Sequence, residues 1–174
     1  AHLFNRLSFS PRVKRSPIWG LGCAGGAAGL SRASEYAAAF PGRLCLLVAV
    51  ELCSLTFIRS DASKSNLVAP SLFADGAAAA LVADVPDPGP ALPRIAAAQS
   101  TTWPDTLDVM GWDITNDGMK VVFSRDIPSL VRRHLRPHVE ELLAGEGLSL
   151  PSLVAYVLHP GGSKVLKAYE EALE

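Results

Sequence analysis

The sequence lacks several features that would assign it quickly to a functional class. Its formal net charge is only −1, from 16 Lys and Arg against 17 Asp and Glu, so no strong field attracts nucleic acid or an anionic membrane. No unbroken apolar run is long enough for a membrane-spanning helix, and no secretory signal peptide stands at its start. The three cysteines follow no metal-ligand spacing, and their odd number favours a reducing, cytoplasmic compartment. We therefore expect no metal site, no nucleic-acid partner and no stable membrane insertion.

What the chain has in quantity is apolar sequence. Hydrophobic residues make up 49% of the 174 residues and charged residues 19%, enough for one globular domain with a sizeable core. Apolar runs of strand length alternate with segments of helical pattern, which predicts an α/β fold. Helices are expected at residues 3–7, 24–40, 67–73, 128–144 and 163–173. Strands are expected at residues 17–21, 44–52, 77–85, 94–102, 119–123 and 153–158.

Proline, glycine and apolar runs refine this prediction. Residues 44–52 are almost continuously apolar, which is typical of a central strand buried on both faces. Pro137 should kink or interrupt the fourth helix. Residues 117–118, Asp-Gly, signal a turn. The Pro-rich residues 86–93 can sustain neither a helix nor a paired strand and form the best linker candidate.

One cysteine occupies a position suited to a reactive group. Cys23 lies in the stretch GCAGGAAG at residues 22–29, between an expected strand and an expected helix. Small neighbours let a substrate approach the sulfur, and the free N–H groups and partial positive charge of a helix N-terminus favour the thiolate. This is the pattern of a cysteine nucleophile. A buried thiol in a tightly packed turn is the alternative interpretation.

A histidine repeats this arrangement near the end of the sequence. His159 follows an expected strand and precedes a helix, and Gly161 and Gly162 keep the substrate's approach to it open. A histidine there could hold a thiolate as an ion pair and donate a hydrogen bond to a developing oxyanion. A structural or capping histidine is the alternative. His134 and His138 are expected at the surface rather than in a metal site.

Four segments together carry a resemblance that none of them carries alone. They are GCAGG at 22–26, VELCSLTF at 50–57, LFADGAA at 72–78 and HPGG at 159–162, in that order. Together they resemble the chalcone synthase-like type III polyketide synthases, above all the bacterial branch. GWDIT at 111–115 and SRDIP at 124–128 extend the resemblance over essentially the whole chain.

The resemblance implies a thiolase fold, a layered αβαβα sandwich of two pseudo-equivalent halves. Residues 1–93 would form the C-terminal part of the first half, with the nucleophile. Residues 94–174 would form the N-terminal part of the second half, with the catalytic histidine. A full member is about twice this length, and such an enzyme is expected to be a homodimer.

The resemblance also implies roles for particular residues. Cys23 would accept the acyl group from an acyl-CoA, and His159 would keep Cys23 ionised and polarise the thioester carbonyl of malonyl-CoA. Phe73 matches a gatekeeper phenylalanine between the CoA tunnel and the cavity. Thr56 matches a cavity position that tunes chain length, and Cys53 lies near it. No cofactor is implied, since acyl-CoA and malonyl-CoA are substrates.

Departures from the family pattern limit these expectations. A second family phenylalanine falls close to Val121, so that side of the cavity mouth would be wider and would suit a long or bulky starter. The family's third catalytic residue, an asparagine, has no counterpart in this sequence. We therefore expect this chain alone to be inactive or nearly so.

Three functions remain open from the sequence. The first is a segment of a polyketide synthase that condenses an acyl starter with malonyl-CoA and yields pyrone- or resorcinol-type products. The second is an enzyme resembling ketoacyl-carrier-protein synthase III, although the Pro-Gly-Gly after His159 favours the polyketide branch. The third is a truncated, non-catalytic interaction module.

Overall fold

The computed structural model describes residues 2–86, 89, 92–116 and 118–174. The helices are α1 His2–Arg6, α2 Gly25–Ala39, α3 Lys64–Leu72, α4 Ile127–Gly145 and α5 Ser163–Leu173. The strands are β1 Leu44–Glu51, β2 Gly76–Ala83, β3 Met110–Thr115 and β4 Gly118–Phe123. Short 3₁₀ turns occur at Gly22–Ala24, Cys53–Thr56 and Leu150–Ser152. This element order confirms an α/β chain.

The strands form two antiparallel pairs within the described residues. β1 pairs with β2 from Leu44 opposite Ala83 to Glu51 opposite Gly76. β3 pairs with β4 from Met110 opposite Phe123 to Thr115 opposite Gly118. The predicted turn before β4 includes Asp117, which lies outside the described residues. Four residues of the predicted linker, 87, 88, 90 and 91, also lie outside them.

Helix α2 lies against the β1–β2 pair through its small residues. Gly29, Ala33 and Ala37 are buried on this face, and a Cβ atom added to Gly29 would lie 2.7 Å from Leu47 Cδ1. The absence of a side chain at Gly29 therefore sets how closely α2 approaches β1.

The prediction that β1 is buried on both faces is wrong for the described structure. Leu44, Leu46, Val48 and Val50 are exposed, whereas the residues that alternate with them from 45 to 49 are half-buried. Burial alternates along β1 because α2 covers one face of a two-stranded sheet and no described element covers the other.

Helices α4 and α5 pack together at the other end of the chain. Leu143 of α4 and Ala168 and Ala172 of α5 are buried. Pro128 occupies the first turn of α4, where a proline costs no hydrogen bond. The helix is unbroken through Pro137, so the interruption expected there does not occur.

Three predicted strands are absent from the described structure. Residues 17–21, 94–102 and 153–158 form no strand, because a strand exists only where a neighbouring backbone accepts and donates its hydrogen bonds. No helix among the described residues has the length and apolarity needed to cross a membrane.

Candidate active site

Cys23 sits in a tight turn that leads directly into α2. The 3₁₀ turn Gly22–Ala24 is closed by the Ala24 N–H, which donates to the Leu21 carbonyl at 3.1 Å. Gly22 has a φ of +50°, a conformation that residues with a side chain rarely adopt. The turn leaves Cys23 exposed just before the helix. The helix that was expected to follow Cys23 is present, whereas the strand expected before it, at 17–21, is not.

The electrostatic surroundings of Cys23 differ from the expectation of a favoured thiolate. Although the residue is exposed, partial burial of the thiol raises the pKa of Cys23, and the negative charge of Glu51 raises it further. A backbone hydrogen bond acts in the opposite direction but is the smallest of the three causes. Desolvation and Glu51 therefore outweigh this backbone hydrogen bond and favour the neutral thiol.

Glu51 also acts on a second cysteine. The Cys53 thiol donates to Glu51 Oε2 at a sulfur–oxygen distance of 4.0 Å. Burial is the largest cause that raises the pKa of Cys53, followed by the charges of Glu51, Asp75 and Cys23. These shared interactions place the two thiols and the Glu51 carboxylate in one electrostatic cluster.

A cavity of about 190 Å³ opens beside this cluster. Its apolar lining consists of Phe57, Ala69, Phe73, Ala74, Trp112 and Val121. Its polar lining consists of Cys53, Ser54, Thr56, Asp61, Asn66, Asp75 and Lys120. The structure therefore brings three predicted substrate-binding residues, Cys53, Thr56 and Phe73, into one cavity wall.

Phe73 has an aromatic neighbour on β4. Its ring centroid lies 5.5 Å from that of Phe123, and the two planes are tilted by 49°. Val121, two residues earlier on the same strand, lines the cavity. The aromatic partner of Phe73 is thus Phe123, while position 121 contributes a smaller side chain to the wall.

Buried Asn66 joins two of the elements that line the cavity. Its side-chain amide donates to the carbonyls of Ile58 at 2.7 Å and Asp61 at 2.6 Å. Its side-chain oxygen accepts from the Ile58 N–H at 3.1 Å. Three hydrogen bonds from one side chain hold the segment around Ile58 against α3.

His159 lies in the loop before α5 and is exposed. Gly162 has a φ of +104°, and a Cβ atom added there would lie 3.9 Å from Leu72 Cδ2, so this loop runs beside the end of α3. Gly161 neighbours His159, whose Cδ2 would lie 3.5 Å from an added Cβ. Neither glycine nor His159 lines the cavity.

In the described part of the chain, no hydrogen bond or ion pair joins the side chains of Cys23 and His159. Cys23 does act electrostatically on Tyr169 of α5, the helix that follows His159. Burial raises the pKa of Tyr169 on that helix, and the charge of Cys23 raises it further. Their catalytic roles remain predictions.

The cavity residues that sequence reasoning did not select as site residues include Asp61, Asn66, Trp112 and Lys120. The GWDIT segment that contains Trp112 was recognised only as part of the resemblance. The Asp-Gly turn signal lies between this segment and the predicted strand at 119–123. If the two had been paired as a hairpin, Trp112 and Lys120 would have fallen on the same hairpin.

The two helix histidines lie beside a tryptophan. The Trp103 indole N–H donates to His138 Nε2 at 3.3 Å, and the Trp103 and His134 ring centroids are 4.8 Å apart. Among the described residues, no group of three or more His, Cys, Asp or Glu side chains could hold a metal ion.

Comparisons with known proteins decide the family. The family model described as chalcone and stilbene synthases, N-terminal domain, matches residues 1–86. The Bacillus subtilis (strain 168) protein named "Putative chalcone synthase" is 51% identical over 178 residues, covering 99% of this chain and 49% of that protein. The crystal structure of 1,3,6,8-tetrahydroxynaphthalene synthase from Streptomyces coelicolor A3(2), a bacterial type III polyketide synthase, superposes with a TM-score of 0.89 at 31% identity, over 99% of this chain and 48% of that one.

The chain belongs to the chalcone synthase-like type III polyketide synthases. A further relative, the 1,3,6,8-tetrahydroxynaphthalene synthase of Streptomyces peucetius, is 44% identical over all of this chain and 46% of its own length. The chain therefore spans about half the length of the curated relatives it matches. The predicted family and thiolase-like fold are confirmed, and the polyketide interpretation is favoured over a carrier-protein-dependent synthase.

Proposed function

We propose that this chain supplies the nucleophile and part of the acyl cavity of a type III polyketide synthase. The Cys23 thiolate attacks the carbonyl carbon of an acyl-CoA and expels the CoA thiolate, leaving an acyl-enzyme thioester. Malonyl-CoA then loses CO₂, and the resulting enolate attacks the acyl carbon. This step releases the Cys23 thiolate and leaves a β-oxoacyl-CoA two carbons longer. Repeated extension and cyclisation would give pyrone- or resorcinol-type products.

The observation that carries this proposal is the electrostatic link between Cys23, which does not itself line the cavity, and a residue of the cavity wall. Cys23 interacts electrostatically with Cys53, and Cys53 shares a cavity wall with Thr56 and Phe73. An exposed thiol linked in this way to a cavity with an apolar lining suits a reaction in which an acyl chain grows on sulfur.

His159 is proposed to hold Cys23 as the thiolate and to polarise the malonyl thioester carbonyl. A positive charge beside Cys23 would offset its raised pKa, and the thiolate rather than the thiol is the nucleophile. The resemblance implies three catalytic groups, and this chain matches two of them. Loss of one oxyanion-stabilising group costs roughly 10²–10³ in rate, so we propose that the chain alone is inactive or nearly so.

Acyl transfer to Cys23 tests the nucleophile directly. In a polypeptide completed to the length of its relatives, a radiolabelled acyl-CoA should leave label on the peptide that contains Cys23. Cys45→Ala serves as the matched control, since this half-buried thiol lies on β1 outside the cavity. Label that persists in Cys23→Ala would refute the assignment. Malonyl-CoA decarboxylation by the 174-residue chain alone would contradict the proposed inactivity.

A non-catalytic interaction module is a second candidate for the isolated chain. The exposed fractions of Leu44, Val48 and Val50 are 72%, 42% and 53% on the uncovered face of β1, and such apolar surface promotes association. Dimers or larger species in light scattering would support this candidate and agree with a homodimeric enzyme. A clean, stable monomer would count against it.

A further inference from the structure

Lys120 brings a positive charge into the wall of the mostly apolar cavity. It lies on β4 and lines the cavity together with Trp112 and Phe73. Lys120 Nζ is 3.7 Å from Asp61 Oδ2. That distance makes an ion pair but exceeds the length of a hydrogen bond. The ammonium group has three N–H donors, so this ion pair leaves donors available for another acceptor.

Asp61 is the fixed member of this pair. Its Oδ1 accepts from the Ser63 N–H at 2.8 Å, and its carbonyl accepts from Asn66 at 2.6 Å. The pKa of Asp61 lies below its usual value, chiefly because of the Ser63 backbone hydrogen bond, then because of the Ser63 side chain and, less, of Lys120. Asp61 thus remains a carboxylate that keeps the Lys120 ammonium charged and close to the cavity.

The neighbouring polar donors already have protein partners. The Ser54 hydroxyl donates to Asp75 at 2.6 Å, and the Thr56 hydroxyl donates to the Cys53 carbonyl at 2.8 Å. The Asn66 amide donates to two carbonyls. A ligand oxygen entering this cavity therefore finds an available charged donor in Lys120.

We infer that Lys120 is a specificity-determining residue that donates a hydrogen bond to the β-oxygen of an oxoacyl chain in this cavity. The inference rests on the proposed function, in which every extension creates such an oxygen. A charge-assisted hydrogen bond is stronger than a neutral one, and it strengthens further when the β-dicarbonyl group ionises to an enolate. A saturated acyl chain of the same length has no oxygen at its β-carbon that could accept this hydrogen bond. Lys120 therefore favours the chain with a β-oxo group.

Two thioesters that differ only at the β-carbon test this inference. S-acetoacetyl-N-acetylcysteamine and S-butyryl-N-acetylcysteamine each present a four-carbon acyl chain. Calorimetric titration into a polypeptide completed to the length of its relatives measures both dissociation constants, with Cys23→Ala present throughout to prevent acyl transfer. We expect the acetoacetyl thioester to bind about tenfold more tightly. Lys120→Met should abolish the preference while leaving butyryl binding unchanged, and Lys120→Arg should retain part of it.

Two further variants separate specificity from structure. Lys167→Met removes an exposed lysine of α5 that pairs with Glu171 at 3.8 Å, outside the cavity, and should leave both affinities unchanged. Asp61→Asn removes the anion that keeps the Lys120 ammonium group charged and close to the cavity, and should reduce the preference for the acetoacetyl thioester while leaving butyryl binding unchanged. A merely structural ion pair would instead give Lys120→Met and Asp61→Asn the same loss of both affinities.

The outcomes distinguish this inference from the proposed function. If both thioesters bind equally when Lys120 is intact, or if Lys120→Met keeps the preference, the proposed role of Lys120 is refuted. The acyl-binding role of the cavity is then unaffected. If neither thioester binds, the acyl role of the cavity fails as well.

Discussion

Ser54 donates two hydrogen bonds to Asp75, from its backbone N–H to Oδ1 at 2.7 Å and from its hydroxyl to Oδ2 at 2.6 Å. The pair ties the turn that follows β1 to the start of β2, where Glu51 and Gly76 are the last paired residues. The pKa of Asp75 lies below its usual value, chiefly because of the Ser54 hydroxyl and then because of the Ser54 N–H. The Asp75 carboxylate therefore connects the cavity wall to the β1–β2 sheet.

Acid should weaken the link between Ser54 and Asp75. Because folding lowers the pKa of Asp75, its contribution to stability is fully present above the unfolded-state value of about 3.8 and is lost as pH falls through the lower folded value. Ser54→Ala should raise the pKa of Asp75. It should also reduce the loss of stability between about pH 5 and pH 2, the range in which this carboxyl group titrates. Carboxyl-carbon NMR titration and urea unfolding across this range measure both effects.

Ser71→Ala is the control for that comparison. The Ser71 hydroxyl is exposed and donates only to the Val68 carbonyl of its own helix, at 2.7 Å. It should leave the pKa of Asp75 and the acid profile as in the wild type. An unchanged pKa of Asp75 in Ser54→Ala would contradict the assigned cause.

Glu51→Gln should make Cys23 more reactive. The charge of Glu51 raises the pKa of Cys23, second only to burial, so a neutral side chain should lower that pKa and increase the thiolate fraction at pH 8. We expect the rate of iodoacetamide alkylation at Cys23 to rise about two- to fivefold. Peptide mass spectrometry separates Cys23 from Cys53, whose pKa should fall as well.

Glu146→Gln is the matched control for the alkylation measurement. Glu146 is an exposed residue at the end of α4 and is not among the groups that shift the pKa of Cys23. Equal rates in Glu51→Gln and Glu146→Gln would show that Glu51 does not control the thiol.

Helices with local boundary signals were predictable from the sequence. The sequence did not show which of the predicted strands would lack a pairing partner and therefore not form. The predicted helix at 163–173 coincides with α5, and that at 24–40 differs from α2 by one residue at each end. Their boundaries depend on neighbouring glycine and proline, which act locally. Residues 17–21 have strand propensity but no strand, because pairing depends on a neighbour that local sequence does not encode.

The residues of the candidate site likewise divide into those that the sequence indicated and those that it did not. The resemblance selected Cys53, Thr56 and Phe73, and all three lie in the lining of one cavity. It gave no reason to select Asp61 or Lys120, because each is a lone charged residue whose partner lies on a distant element. Only the packing of α3 against β4 brings their charges within 3.7 Å.

Asn66→Ala should be among the more destabilising substitutions near the cavity. It removes two donated hydrogen bonds and one accepted bond at a residue only 8% exposed, and it leaves backbone groups of Ile58 and Asp61 without partners. We expect a loss of about 2–3 kcal/mol in the free energy of unfolding. Asn5→Ala, on exposed α1, should change it by less than about 0.5 kcal/mol. Equal unfolding midpoints for the two variants in urea would contradict this role of Asn66.

Gly29→Ala should destabilise the packing of α2 on the sheet. A Cβ atom there would lie 2.7 Å from Leu47 Cδ1, so the Leu47 side chain must move. Because that atom ends a flexible side chain, we expect a modest loss of about 1 kcal/mol. Gly26→Ala in the same helix meets no atom within 4 Å and should be neutral or slightly stabilising. Thermal unfolding of Gly29→Ala with and without Leu47→Val separates the clash from a backbone effect, because the smaller valine should restore most of the loss only if Leu47 is its cause.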